Sequence, residues 1–259
     1  MTFHHADLDD LKKAKMLLEN PGLAARLSNY LGIPLEKGLD LLPAPWHAKV
    51  AAVTQEALTT AINAAVFTMQ EVPGGKASNG WHKIASATSG ALGGLFGLPA
   101  LAIELPISTT IMLRSISDIG RAQGENINEI DAKMACLEVF CLGGRDSSDD
   151  ASESAYFAIR ALLAQSIAQA TQHIAEKGLA AKGAPALVHF ILKVSERFSV
   201  HVSQKLAMQA MPVIGAAGGA LINSLFLDHF QDMAQGHFIV RRLERKYGQE
   251  MVEETYKRL

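Results

Sequence analysis

Two stretches of this chain carry almost no charge. Between Ala85 and Leu113 the sole ionisable residue is Glu104, and from Leu206 to Leu227 there is none. The first run holds Gly90, Gly93, Gly94 and Gly97 ahead of Pro99 and Pro106, and the second holds Pro212, Gly215, Gly218, Gly219 and Asn223. Glycine in a helix interior costs about 1 kcal/mol relative to alanine, so glycines kept at helical spacing imply that another backbone comes close. The first run is long enough for a membrane span, and Gly-x-x-Gly spacing suits tight helix contact in lipid. Ser86, Thr88, Ser89, Ser108, Thr109 and Thr110 dilute its hydrophobicity. The expectation is a close helical pair or hairpin at the centre of a bundle, with glycine faces in contact. Such a pair is sealed as a buried core, offered to a membrane, or shared between copies of the chain.

Composition sharpens this picture. Of 259 residues 49% are hydrophobic, 19% are charged and 6% are aromatic, which leaves apolar surface needing a destination. Alanine and glycine are abundant, and valine and isoleucine do not gather into short alternating runs, so the fold class expected is all-α, a single multi-helix domain. A net charge of −2 with no dominant basic block excludes a nucleic-acid binder. Cys136 and Cys141 stand in an apolar stretch at a spacing that points them in different directions along a helix, so they read as small buried hydrophobes. Met1 to Asp10 has no apolar signal stretch, and the protein is expected in the cytoplasm or on the cytoplasmic face of a membrane. His4 and His5 beside Asp7, Asp9 and Asp10 read as a frayed terminus.

Along the chain, helices are expected over Asp7–Glu19, Leu23–Leu31, Trp46–Met69, Trp81–Leu98 and Pro99–Gly124. A further helix, capped by Asn126 or Asn128, carries Ile130, Met134, Leu137 and Phe140 to a stop at Gly143-Gly144. Others run from Ser154 to Lys177, from Pro185 onward, and from Asp228 to Tyr247, ahead of a short last helix. Pro73–Gly80 is a loop between an amphipathic part, 1–80, and a helical core, 81–259, within one continuous domain over 17–256.

The apolar runs also carry a resemblance. Gly93-Gly94-Leu-Phe-Gly97-Leu-Pro99, then Glu104-Leu-Pro106 and Met112-Leu-Arg114 through Gly120, resemble the central signature of the EcsC family. Cys136-Leu-Glu138-Val-Phe140 to Gly144, Tyr156 with Arg160, Lys205 through Pro212 and Gly215 to Asn223, and His237-Phe238 are similar to its later blocks in the same order. The family is named for an operon that encodes an ABC-type exporter. The resemblance implies a helical, membrane-associated protein whose activity is unsettled between a peptidase and a membrane-acting or transport-accessory role.

Candidate chemistry is sparse. Glu104 and Arg114, about three helical turns apart, each need a partner, because a carboxylate in apolar surroundings is paired, protonated or exposed. The partners expected are an Arg or Lys from the helix of the second run for Glu104, and Asp118 for Arg114. Glu104, Arg114 and Glu138 are the candidate catalytic groups, with a buried ion pair as the alternative for the first two. Asp228, His229, Asp232 and His237 are a weak metal-like cluster, and no metal or other cofactor is expected, since His-Glu-x-x-His, Cys-x-x-Cys, phosphate-loop and Gly-x-Ser-x-Gly motifs are absent. Arg241, Arg242, Arg245 and Lys246 are candidates for contact with anionic lipid, or simply for a solvated face. The function expected is a non-enzymatic membrane- or transporter-associated module. Its partners would be lipid, a membrane protein such as an ABC-type exporter, or a second copy of the chain. The alternative is a hydrolase of peptide or lipid using carboxylates in a helical pocket.

Overall fold

The computed structural model describes residues 3–19, 22–32, 34–43, 46–68, 98–143, 155–177, 185–211 and 215–259. The loop Pro73–Gly80, the helix expected from Trp81, Gly90, Gly93, Gly94, Gly97, Pro212 and the acidic stretch 145–153 lie outside them. Among the described residues there is no strand, and the protein is an all-α, multi-helix domain. The described helices are α1 His5–Glu19, α2 Leu23–Leu31, α3 Leu35–Leu39, α4 Trp46–Thr68, α5 Leu98–Ala122, α6 Ile130–Glu138, α7 Ala155–Lys177, α8 Pro185–Gln209, α9 Gly215–Tyr247 and α10 Gln249–Arg258. One 3₁₀ turn, Val139–Cys141, follows α6.

Helix α9 is the axis of the packing, touching α1, α2, α5, α8, α10 and the 3₁₀ turn. Its buried face reads Phe226, Phe230, Met233, Ala234, His237, Phe238 and Val240, the three-and-four spacing of one helical side. Phe140, Phe198, Phe226 and Phe230 form a ring cluster with neighbouring centroids 4.7 to 6.1 Å apart, within the range where tilted aromatic pairs attract. Helix α1 buries Leu11, Ala14 and Leu18 against α9. A Cβ on Gly236 would lie 2.7 Å from Leu18 Cγ and 3.1 Å from the Ala14 carbonyl oxygen, so glycine admits that approach.

Several expectations need correction. The second run is not one element: α8 ends at Gln209 and α9 begins at Gly215, consistent with Pro212, which lacks an N–H and disfavours helix in the residue before it. Nor does a helix start at Asp228, which lies inside the 33 residues of α9. The two runs do not make a hairpin. Gln231 Nε2 donates to Ser115 Oγ at 2.9 Å, Gly120 lies against the Phe238 ring and Arg241 bonds Glu125, so residue numbers rise together and α5 and α9 run parallel. The long connection through α6, α7 and α8 returns the chain to the same end. Among the described residues, nothing lies within 4 Å of a Cβ built on Gly219.

The cap of α6 is Glu129, with no side-chain cap bond. Asn126 instead closes a local turn, its Oδ1 accepting from the Asn128 N–H and its Nδ2 donating to Glu129. Phe3, His4 and Asp7 are held rather than frayed. Phe3 stacks on Tyr247 at 4.3 Å, the His4 N–H donates to the Tyr247 hydroxyl, and Asp7 accepts from Lys246 and Tyr247 at 2.6 Å each.

The short helix α3, unforeseen between Pro34 and Pro43, docks on α8 through Gly38. A Cβ there would sit 2.4 Å from the Ala207 carbonyl oxygen, an atom of helix backbone that cannot swing aside. Gly38→Ala is therefore expected to destabilise the protein by about 1–3 kcal/mol, the range for forced overpacking. A thermal midpoint within a degree of the parent would show that α3 does not seat as described.

Candidate functional site

Among the described residues three polar clusters are built into the interior, each where a helix turns a charged or imidazole side chain inward. The first joins α5 to α8. Glu104 Oε1 accepts from Lys205 Nζ at 2.7 Å, with the two side chains 9% and 1% exposed, and Nζ also sits 5.0 Å above the Phe226 ring. Lys205, the residue just ahead of the second run, thus faces Glu104 from the end of α8. Asp118, the partner expected for Arg114, bonds Arg121 at 2.7 Å. Arg114 is half-buried two turns and more beyond Glu104 along α5, and the two do not form one site.

The second cluster fills the junction of α6, α7 and α9. Arg160 donates through two nitrogens to Glu244, at 2.6 and 3.0 Å, in the forked geometry that suits a carboxylate. Its Nε lies 4.0 Å from Glu138 Oε1, and Glu138 Oε2 lies 3.7 Å from His237 Nε2. On the other side of the imidazole, Nδ1 hydrogen-bonds the Tyr156 hydroxyl at 3.0 Å. Burial pushes the Glu138 carboxyl up to about 7, although the Arg160 charge pulls it back. Burial likewise holds His237 neutral, well below the usual histidine range, and drives the Tyr156 phenol upward.

The third cluster is a pair of imidazoles, His201 on α8 and His229 on α9, with ring centroids 5.3 Å apart. Both are fully buried beside the Leu142-Gly143 turn, and burial keeps both neutral, His201 down to about 4 and His229 well below the usual value. A Cβ on Gly143, whose φ is +80°, would lie 2.4 Å from His229 Cε1.

The metal-like cluster does not assemble. Asp232 pairs with Arg26 at 2.7 Å, His229 faces Gly143, and His237 joins the second cluster. Among the described residues no group of three or more His, Cys, Asp or Glu side chains is placed to hold a metal. Both cysteines are buried free thiols, and burial raises Cys136 to about 12 and Cys141 further, so neither is a ready nucleophile. The basic end of α9 is paired throughout: Arg241 with Glu125 and Asp131, Arg242 with Asp10, Arg245 with Glu125, and Lys246 with Asp7. Of the glycine and proline positions singled out, Pro99 and Pro106 lie within α5, Gly215 opens α9, and Asn223 Oδ1 accepts from Gln209 Nε2 at 3.3 Å across the α8–α9 turn.

Sequence reasoning singled out Glu104 and Glu138 as candidate carboxylates but did not join Glu138 to Arg160, Glu244, Tyr156 and His237. A signal was present. Tyr156 and Arg160 stand four apart on one helix, as do Val240 and Glu244, and His237 and Glu244 seven apart on another, spacings that keep each set on a common face. The model of the EcsC protein family matches residues 5–243. No curated protein and no solved structure matches the chain.

Proposed function

The chain belongs to the EcsC protein family, and from that premise we propose that it acts as a non-enzymatic helical module seated at a membrane or against a membrane protein such as an ABC-type exporter. The observation that carries this reading is the separation of charge along the parallel helices α5 and α9. At their C-terminal ends, Glu125, Arg241, Arg242 and Arg245 sit in an ion-pair network. At their N-terminal ends, the only charge from Leu98 to Leu113 is the buried Glu104, and residues 215–227 have none. There Ile103 is 70% exposed and Leu221 39% exposed, beside exposed Ala102, Ala220 and Ser224. Uncharged exposed surface of this kind favours an apolar partner.

Among the described residues no helix is long and apolar enough to cross a membrane, so the contact proposed is the N-terminal part of α5 and α9, whose exposed residues carry no charge. The basic residues of α9, satisfied by carboxylates of the same chain, are not its main source of attraction. The hydrolase alternative draws no support, because Glu104 and Glu138 are buried against Lys205 and against Arg160 with His237.

Vesicle flotation tests the reading. The untagged protein is expected to rise with zwitterionic as well as anionic vesicles, to stay bound at high salt, and to be left behind when Ile103→Asp and Leu221→Asp are combined. Protein wholly soluble at low salt that floats with neither kind of vesicle sinks the lipid form of the proposal.

A further inference from the structure

From Ala161 to Gln172 helix α7 has no ionisable residue, and Arg160, just ahead, turns inward to Glu244. Ala158, Ala161, Gln165, Ala168, Gln172 and Ala175 are nevertheless all exposed. Their spacing alternates three and four, which places them in one straight seam about 25 Å long. Leu162, 53% exposed, borders it. A helix face turned to water ordinarily carries charge, whereas this one has the spacing of a helix–helix contact. Helix α8 packs on α7 and adds exposed Val188, Leu192 and Val200, with Glu196 among them. Among the described residues these two helices hold four of the ten large apolar side chains that are exposed, a concentration that marks a contact surface.

We propose that this face binds a second copy of the chain, α7 against α7 in antiparallel register, about a twofold axis passing between Ser166 and Ile167. In that register Ala158 faces the partner's Ala175, Ala161 faces the partner's Gln172 and Gln165 faces the partner's Ala168, and the axis repeats each pair. Every seam glutamine therefore meets an alanine, so large and small side chains interdigitate along the contact. A parallel copy would set glutamine on glutamine and alanine on alanine, crowding some layers and leaving gaps in others.

Charge and area both favour a copy of the same chain. A twofold axis brings the residues near it close to their own counterparts, so any charge there would meet a like charge, and the seam has none. Gln165, Gln169 and Gln172 can hydrogen-bond across a protein contact but would lose their water in lipid without replacement. Each copy offers a strip of about 25 Å by 10 Å on α7, and α8 about doubles it, so the pair hides on the order of 1,000 Å², the lower end of specific interfaces. The dimer is accordingly weak, with a dissociation constant of about 1–100 µM.

The test is sedimentation of the full chain without lipid from about 1 to 500 µM, a range that brackets that constant and a readout separate from vesicle flotation. A concentration-dependent dimer is expected, and a strict monomer throughout overturns the proposal. Ala168→Glu sets two like charges beside the axis and is expected to weaken association about tenfold or more while the thermal midpoint stays near that of the parent, since glutamate suits an exposed helix. Register is read by mild oxidation. Ala161→Cys mixed with Gln172→Cys is expected to give a disulfide-linked dimer, and neither variant is expected to link to itself, because like positions stand about 16 Å apart along the paired helices. The native Cys136 and Cys141 are buried and do not compete. A dimer indifferent to Ala168→Glu, or self-linking of either cysteine variant in place of the mixed product, refutes the antiparallel α7 contact.

Discussion

Gly143→Ala is expected to cost about 3 kcal/mol or more and to lower the thermal midpoint by roughly 10 °C, the sum of two separate penalties. The first is the backbone: φ at Gly143 is +80°, a conformation that costs an L side chain about 1–2 kcal/mol. The second is space. An added Cβ would lie 2.4 Å from His229 Cε1, 2.7 Å from Nε2 and 2.9 Å from Met233 Sδ. The imidazole has little room to retreat, because His229 is flanked by the rings of His201 and Phe230 at 5.3 and 5.0 Å. On the opposite side, a Cβ at Gly22 would be 2.7 Å from the Gly143 carbonyl oxygen, so α2 also closes on this turn. Gly32→Ala is the control. It sits in the left-handed region, with φ of +64° and ψ of 21°, and nothing lies near its Cβ position, so it should show the backbone penalty alone. Equal losses for the two variants would show that the turn is not clamped between α2 and α9.

Lys205→Met is expected to cost about 3–5 kcal/mol, because it leaves the Glu104 carboxylate buried with no counter-charge. The double variant Glu104→Met/Lys205→Met should recover most or all of that loss, and it is expected to match or exceed the parent by up to about 4 kcal/mol if the methionines fill the space. Chemical denaturation of the four proteins gives the coupling directly. A single-variant cost under about 1 kcal/mol would mean that the pair is solvated, as surface pairs are. The asymmetry matters for understanding the fold. A buried ion pair is a poor source of net stability, but it penalises any packing of α5 on α8 that separates the two charges. In a molecule whose apolar runs are rich in interchangeable alanine, leucine and glycine, that penalty helps to select one register.

The helices were legible to the extent that periodicity and punctuation agree. Leu23–Leu31 stops at Gly32, whose φ is +64°, and Trp46–Thr68, Ala155–Lys177 and Pro185–Gln209 lie where alanine seams and flanking Pro or Gly set them. Boundaries failed where propensity was indifferent. Nothing local distinguishes Leu227 from Asp228, so α9 runs through the change from apolar to charged. Helix α3 has only five residues and exists because Gly38 admits the backbone of α8. The basic residues at the end of α9 show the same limit from another side. Read in line they form a patch, but the carboxylates that absorb it come from Asp7 and Asp10 on α1, from Glu125 after α5 and from Asp131 on α6.

The all-α class, the likeness to the EcsC proteins and the need to hide or occupy two nearly uncharged runs were all readable in advance, because composition and spacing are local properties that every residue carries with it. The parallel course of α5 and α9, and the tight glycine contacts that among the described residues fall at Gly22, Gly38, Gly120, Gly143 and Gly236, came from the assembled fold. It alone made Glu104 one half of a closed pair and Glu138 a member of a five-residue junction with Tyr156, Arg160, His237 and Glu244. A buried charge or a close backbone contact is defined by its partner. Here Lys205 is 101 residues from Glu104, and Glu244 is 84 from Arg160, separations across which no local periodicity carries information.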